Sequence, residues 1–412
     1  MADVPTFTRS VKPPEHSPGA YFALAAVARQ PVHRPPQESF GASIRNLLAH
    51  TQSRELGARA ALTGHPTRIP TKQDMRNLFC PRCEQRLLFE QARCVHCSQL
   101  LAFDPAALVF RRLDAVRPCL NRDLIGCNWS ADPGGPYCCS CALARTIPNL
   151  GSIKNRLLWS RVEEAKRRLV YDLCRLKLPL TSGGGVRLAF DILSEDAQDG
   201  PILTGHSAGL ITLNLAEADD VERESRRVAL REPYRTLLGH FRHEVGHFYW
   251  ELLVAETKLK SPFRLVFGDE SLDYQDALWT YHNRADRSYD RAAFISEYAS
   301  AHPWEDWAET FAHFLHIVSV LDSVAGLPLS LQSRALEALR DPYLESDFGA
   351  LLASWMPLAY SLNELNRSLG RDDAYPFQLS DAVSGKLHFI HMAIQSHQHR
   401  IRLTAPAPVA RS

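Results

Sequence analysis

Nine of the ten cysteines fall between Cys80 and Cys141, a clustering that a general demand for small apolar side chains does not produce. Cys80-Pro-Arg-Cys83 and Cys94-Val-His-Cys97 are CxxC knuckles with ten residues between them. Each knuckle can wrap one edge of a tetrahedral Zn²⁺, and two knuckles close a four-cysteine site. The stretch Glu84 to Arg93 is long enough for a short hairpin. Cys119, Cys127, Cys138 and Cys141 form a second set that again ends in CxxC, with looser spacing. Cys139 lies inside that last knuckle and could stand in for Cys138, while Cys174 falls in an apolar helical pattern and reads as a buried bystander. A module this small buries too little surface to fold alone, so metal supplies its folding free energy. One or two structural zinc ions are expected. Disulfides are the alternative. No secretory leader and no long apolar span precedes the cluster, so a reducing, cytoplasmic setting is expected.

The second constraint is His243-Glu244-Val245-Gly246-His247. On a helix, residues four apart share a face, so both imidazoles can reach one metal ion. Glu244 points about 100° away, where its carboxylate can act as a general base. Apolar residues at three- and four-residue spacing (Leu237, Leu238, Phe241, Val245, Phe248, Leu252, Leu253) predict a helix from Tyr234 to about Lys258, with Pro233 at its first turn. His240 precedes His243 by about one turn and reads as a supporting residue, since the motif already supplies two ligands.

A catalytic zinc needs a third protein ligand and an open position. Glu305, Glu309, His313 and His316 follow helical spacing and share a face. Glu305 lies 58 positions beyond His247, and the absence of an HxxGxxH continuation argues against a third histidine. An acidic first turn on an ordinary surface helix is the plainer alternative. Asp269, Glu270 and Asp273, with Tyr274, could form an acidic rim to the cleft, but a solvated loop with a helix cap is the plainer reading.

HEVGH, together with Glu305-Asp306-Trp307-Ala308-Glu309 and Tyr298 seven residues before Glu305, resembles the lethal-factor and Pro-Pro-endopeptidase group of gluzincin-like peptidases. That resemblance implies Glu305 as third ligand, Glu309 as a partner behind the ligands and Tyr298 as donor to the reaction's oxyanion. A longer resemblance begins near Phe79. Thr204-Gly205-His206, Gly209 to Asn214, Glu217-Ala218-Asp219, Tyr234 to Arg242, Phe267 to Glu270 and His302 to Asp306 are similar to a bacterial zinc-binding metallopeptidase family with an N-terminal zinc ribbon. It implies a zincin-like α+β domain, a small sheet plus helices, behind a Cys-rich ribbon. It names no substrate.

The chemistry expected of such a site is peptide-bond hydrolysis, with Glu244 taking a proton from a zinc-activated water and Tyr298 sharing the developing charge. The strand Gly209 to Leu215 is either an edge that an extended substrate joins or a plain core strand. Gly205-His206-Ser207-Ala208-Gly209 fits the GxSxG nucleophile pattern. Another strand follows it, however, so a hairpin is the better reading.

The remaining pattern organises the chain as a disordered Pro-rich arm (1–75, with a weak helix near Ser43–Arg59), a ribbon module (76–150), a metallopeptidase domain (151–403) and a tail (404–412). Helices are expected over Asn155–Leu176, Leu331–Leu339, Leu351–Leu365 with a break at Pro357, and Ala382–Ser396, and a strand over Val186–Leu193. A net charge of +1 in 412 residues implies no strong attraction to nucleic acid or membrane. The expected partners are a peptide or protein substrate and a protein at the ribbon. Two functions stay open: a zinc endopeptidase, or a catalytically silent ribbon protein that recognises protein or nucleic acid. An intact Glu244, Glu305 and Tyr298 favour the enzyme.

Overall fold

A computed structural model of the chain describes residues 78–181, 185–195, 202, 204–230, 232–327 and 333–404. The proposed arm, its weak helix, most of the glycine-rich turn after Thr181 and the tail beyond Thr404 lie outside them. In chain order the strands are β1 (Leu101–Asp104), β2 (Val109–Arg112), β3 (Ala144–Thr146), β4 (Ala189–Leu193), β5 (Gly205–Ser207) and β6 (Leu210–Asn214). The helices are α1 (Arg122–Ile125), α2 (Ile153–Arg175), α3 (Asp220–Leu230), α4 (Leu237–Trp250), α5 (Lys260–Phe267), α6 (Tyr274–Asn283), α7 (Pro303–Ala325), α8 (Arg334–Ala338), α9 (Phe348–Ser368) and α10 (Asp381–Thr404). The architecture is α+β.

The cysteine-rich part carries little regular structure. β1 and β2 pair antiparallel, and single bridges (Phe79 with Arg86, Arg93 with Leu100) close each knuckle. Its core is aromatic: Phe103 packs against Phe89, Phe110 and Trp129 with ring centroids 5.3–5.7 Å apart. Tyr171 of α2 joins that cluster 5.1 Å from Phe89, and buried residues from the cysteines to α10 form one continuous core. All of these residues belong to the unit His65–Ser412.

The four-stranded sheet has the order β3-β4-β6-β5, parallel except for the antiparallel β5. This settles one open alternative. The strand after Gly209 is interior, with Ile211 and Leu213 fully buried, and the edges among the described residues are β3 and, on the β6 side, the three-residue β5. Ala208 and Gly209 both have positive φ (48° and 81°), the left-handed pair that a tight hairpin requires. A Cβ on Gly209 would stand 2.5 Å from Val186 Cγ1. Ser207 therefore sits in a hairpin and not on a strand-to-helix elbow.

Three helix expectations change. α4 starts at Leu237 because Thr236 caps it, its hydroxyl accepting the Gly239 N–H at 3.0 Å. After Trp250 the α-helix gives way to a π-turn over Glu251–Ala255. α9 runs through Pro357 without a break. Pro357 and Ala353, four residues earlier, are both on the exposed face, so water can satisfy the carbonyl the ring leaves unbonded.

α2, α4 and α7 are locked together by buried charge. Asp172 accepts from Arg242 (2.8 Å) and from the Tyr343 hydroxyl (2.6 Å). Arg175 reaches Asp322 on α7 and Asp341. Arg242 immediately precedes His243, so this network fixes the helix that carries the motif.

Candidate metal centres

Both imidazoles of the motif project from the same buried face of α4, their Nε2 atoms 3.2 Å apart. α7 supplies the acid. Its cap is His302, whose Nδ1 accepts the Trp304 N–H at 3.1 Å, and Pro303 occupies the first turn. Glu305 follows at once, its Oε2 3.0 Å from His243 Nε2 and 3.5 Å from His247 Nε2. Ligands 2.0–2.1 Å from a tetrahedral zinc lie ~3.3 Å from one another, so the three spacings fit that ion. Glu305 is 1% exposed and its Oε2 accepts no well-directed hydrogen bond. An orphaned, buried carboxylate oxygen facing two imidazoles suits a cation.

Glu309, one turn later, is not a member of this trio and meets it only at the far nitrogen of His243. Its Oε1 stands 2.7 Å from His243 Nδ1, and its Oε2 accepts from the Ser296 hydroxyl at 2.6 Å. It orients the ring from behind. Burial opposes charge on His243, but the carboxylates of Glu305 and Glu309 outweigh it and raise its proton affinity well above the ordinary imidazole value. Burial is likewise overridden at Glu305, held well below the carboxylate range by His247 and His243, and at Glu309, held at about 2.

Glu244 and Tyr298 line a cavity of about 320 Å³ that reaches the trio at His243, together with His240, Tyr281, His313 and His316. His240 stands between two acids, 3.7 Å from Glu244 Oε1 and 3.8 Å from Glu217 Oε2, and away from the trio. The Tyr298 ring lies 5.7 Å from His243 and 5.5 Å from Tyr281. Burial, then the charge of Glu305, raises its phenol above its usual pKa, so it stays protonated. His313 and His316 do not join the ligands. His313 bonds the Tyr375 hydroxyl at 2.8 Å, and burial lowers its pKa to about 4.

Three contributors escaped the sequence reading. Trp304 lies over His247, ring centroids 3.9 Å apart, and His206 of β5 stacks on the same ring at 6.1 Å. Tyr274, expected in a solvated rim, donates its hydroxyl to Glu305 Oε1 at 2.5 Å. Asp273 does cap the following helix, as its spacing suggested. Nothing in the local sequence reports that the next side chain reaches a residue 31 positions away.

The cysteines assemble as two tetrads, Cys80, Cys83, Cys94, Cys97 and Cys119, Cys127, Cys138, Cys141. Sulfur pairs lie 3.6 and 3.7 Å apart in the first and 3.7 and 3.8 Å in the second. Four thiolates at ~2.3 Å from zinc stand ~3.8 Å apart along a tetrahedron's edges, whereas a disulfide holds sulfurs at ~2.05 Å. The spacing is that of a shared ion. Cys139 is outside the tetrad, with Cys174 as its neighbour. Cys174 is half-buried and not fully enclosed. Beneath the second tetrad the fully buried pair Lys166 and Glu163 (2.6 Å) meets Cys141, its Sγ 3.7 Å from Glu163.

Comparison with known proteins agrees with both kinds of centre. Residues 77–152 match a zinc-ribbon domain family. Uncharacterized proteins from Mycobacterium tuberculosis and Mycobacterium bovis are 42% identical over 329 residues, covering 78% of this chain and 95% of theirs. No solved structure matches the chain at a significant level. None of the described helices is long and apolar enough to cross a membrane. Residues 155–393, which hold His243, His247 and Glu305, match the family described as "putative zinc-binding metallo-peptidase", and this chain belongs to that family.

Proposed function

We propose that this chain is a zinc endopeptidase of gluzincin type, with His243, His247 and Glu305 as metal ligands, Glu244 as general base and Tyr298 as oxyanion donor. The observation that carries the reading is that Glu244 and Tyr298 line a single cavity together with His243, a member of the ligand trio. When bound, zinc acidifies a water and polarises a carbonyl. Glu244 Oε takes that water's proton as it attacks and returns it to the leaving amine. His240, 3.7 Å from Glu244 Oε1, keeps the base oriented. The Tyr298 hydroxyl donates to the carbonyl oxygen as negative charge builds, a contribution of about 3 kcal/mol for one such donor.

The substrate is an extended peptide. β5, an outer strand of the sheet among the described residues, lies beside the trio through His206, where main-chain hydrogen bonds can hold a peptide with little sequence preference. The parallel sheet with its antiparallel edge beneath α4 supports a zincin-like domain. The two tetrads serve as structural zinc sites whose surface is available to a protein partner. Eight metal-binding thiolates suit a reducing, cytoplasmic compartment.

Proteome-wide cleavage profiling of the wild type against Glu244→Gln tests this reading. Cleavages present in the first and absent from the second, at equal zinc content, are expected. Identical profiles would favour a catalytically silent ribbon protein.

A further inference from the structure

We infer that Tyr274 is a positioning residue of the catalytic metal centre, its hydroxyl orienting Glu305 as a one-oxygen ligand. The inference rests on the trio binding zinc, as proposed above.

Glu305 has two carboxylate oxygens with different fates. Oε2 faces the imidazoles, 3.0 and 3.5 Å from their Nε2 atoms. Oε1 accepts the Tyr274 hydroxyl at 2.5 Å, the short distance of a charge-assisted O–H···O⁻ bond. A carboxylate oxygen that accepts a short phenol hydrogen bond is turned toward the phenol and is a poorer metal donor, so the bond favours one-oxygen binding and protects the open position that catalysis needs. A carboxylate only accepts hydrogen bonds, so the phenol is the donor.

The surroundings show how the tyrosine is held. Its ring meets His302 at 5.4 Å and Trp304 at 5.5 Å, both edge-on. His302, whose Nδ1 caps α7, also bonds the Leu272 carbonyl through Nε2 at 3.2 Å. One residue thus starts the helix that presents Glu305 and grips the loop that presents Tyr274. α6 itself buries none of its residues. Its first residue, Tyr274, is therefore not placed by α6 packing into the core, and its contacts are with the site.

The test uses the full-length chain with Tyr274→Phe, which keeps the ring between His302 and Trp304. Zn²⁺ affinity is measured by competition with a chromophoric chelator, and the Co²⁺-substituted protein is examined by visible absorption. Thiolate-to-cobalt bands from the tetrads report that the fold is intact. Loss of a hydrogen bond behind a ligand weakens binding about 10- to 100-fold, and that loss is expected at the His/Glu site alone. The d–d bands should change toward higher coordination as Glu305 swings to two-oxygen binding. Tyr281→Phe, which touches Tyr298 and not Glu305, should retain wild-type affinity and bands. Unchanged affinity and superimposable bands in Tyr274→Phe overturn the inference while leaving the peptidase reading in place. A wild type whose metal count does not fall on His243→Ala overturns both.

Discussion

Gly246 is the motif position whose replacement best separates packing from chemistry. A Cβ built there would stand 2.9 Å from Ala308 Cα and 3.2 Å from the Ala308 carbonyl oxygen. These are backbone atoms of α7 and cannot swing aside. Relief to an ordinary carbon contact of ~3.6 Å requires α4 and α7 to separate by ~0.7 Å. The same interface carries the 3.0 and 3.5 Å spacings from Glu305 to the imidazoles and the bond from Trp307 Nε1 to the Gly246 carbonyl, 2.8 Å. Metal–ligand distances tolerate only about ±0.2 Å. Gly246→Ala should therefore weaken zinc binding at the trio at least ~10-fold, more than its effect on stability would suggest. Overpacking costs ~1–3 kcal/mol and the helix preference of Ala returns ~1 kcal/mol, so the net loss is about 0–2 kcal/mol. Gly239→Ala is the comparison. Its added Cβ meets only side chains, the capping hydroxyl of Thr236 at 3.0 Å and Tyr234 at 3.3 Å, so any cost falls on the helix cap, about 1 kcal/mol, and zinc affinity should hold. Urea unfolding at fixed zinc and chelator competition provide the two readings. A Gly246→Ala protein as stable as the wild type, with zinc affinity unchanged, would refute the close-approach argument.

The other predictions concern charge and metal. Glu305→Ala should empty the His/Glu site, whereas Glu309→Gln, altered only behind His243, should bind zinc about 10- to 100-fold more weakly; the reverse order in metal analysis would exchange their roles. Native mass spectrometry should find three zinc ions per chain, falling to two in His243→Ala, and chelation should unfold residues 78–145 as seen by hydrogen exchange. At Glu217 burial raises the pKa, but His240 and Arg235 override it and bring the carboxyl from 4.5 to about 2. A depressed folded pKa stabilises above the unfolded value and loses that effect as pH falls. The contribution is at most about 3 kcal/mol at pH 7 and about 1.5 kcal/mol at pH 3. The stability gap between wild type and Glu217→Gln should narrow accordingly.

What was legible in the chain was local. The imidazole pair could be read because four residues advance a helix by about one turn, and the structure places both Nε2 atoms 3.2 Å apart. The CxxC knuckles were legible for the same reason, since each closes within a few residues. The hairpin at Ser207 followed from the strand-like pattern after it. Pro357 misled because a proline's cost depends on whether the orphaned carbonyl meets water, and that is a property of the packed helix.

By itself the sequence determined the ligand types, their spacing on each helix and the need for metal in the cysteine-rich part, because short-range backbone geometry converts spacing directly into direction. It narrowed the third ligand to a helix face but could not distinguish Glu305 from Glu309 without a resemblance to known peptidases. Only the tertiary structure decided which carboxylate oxygen faces the rings, that β5 and not β6 is a sheet edge, and that Tyr274 closes on Glu305. Those outcomes depend on how closely α4 and α7 approach and where the loop after α5 is gripped. Such distances arise from summed packing across the core, which no local pattern encodes.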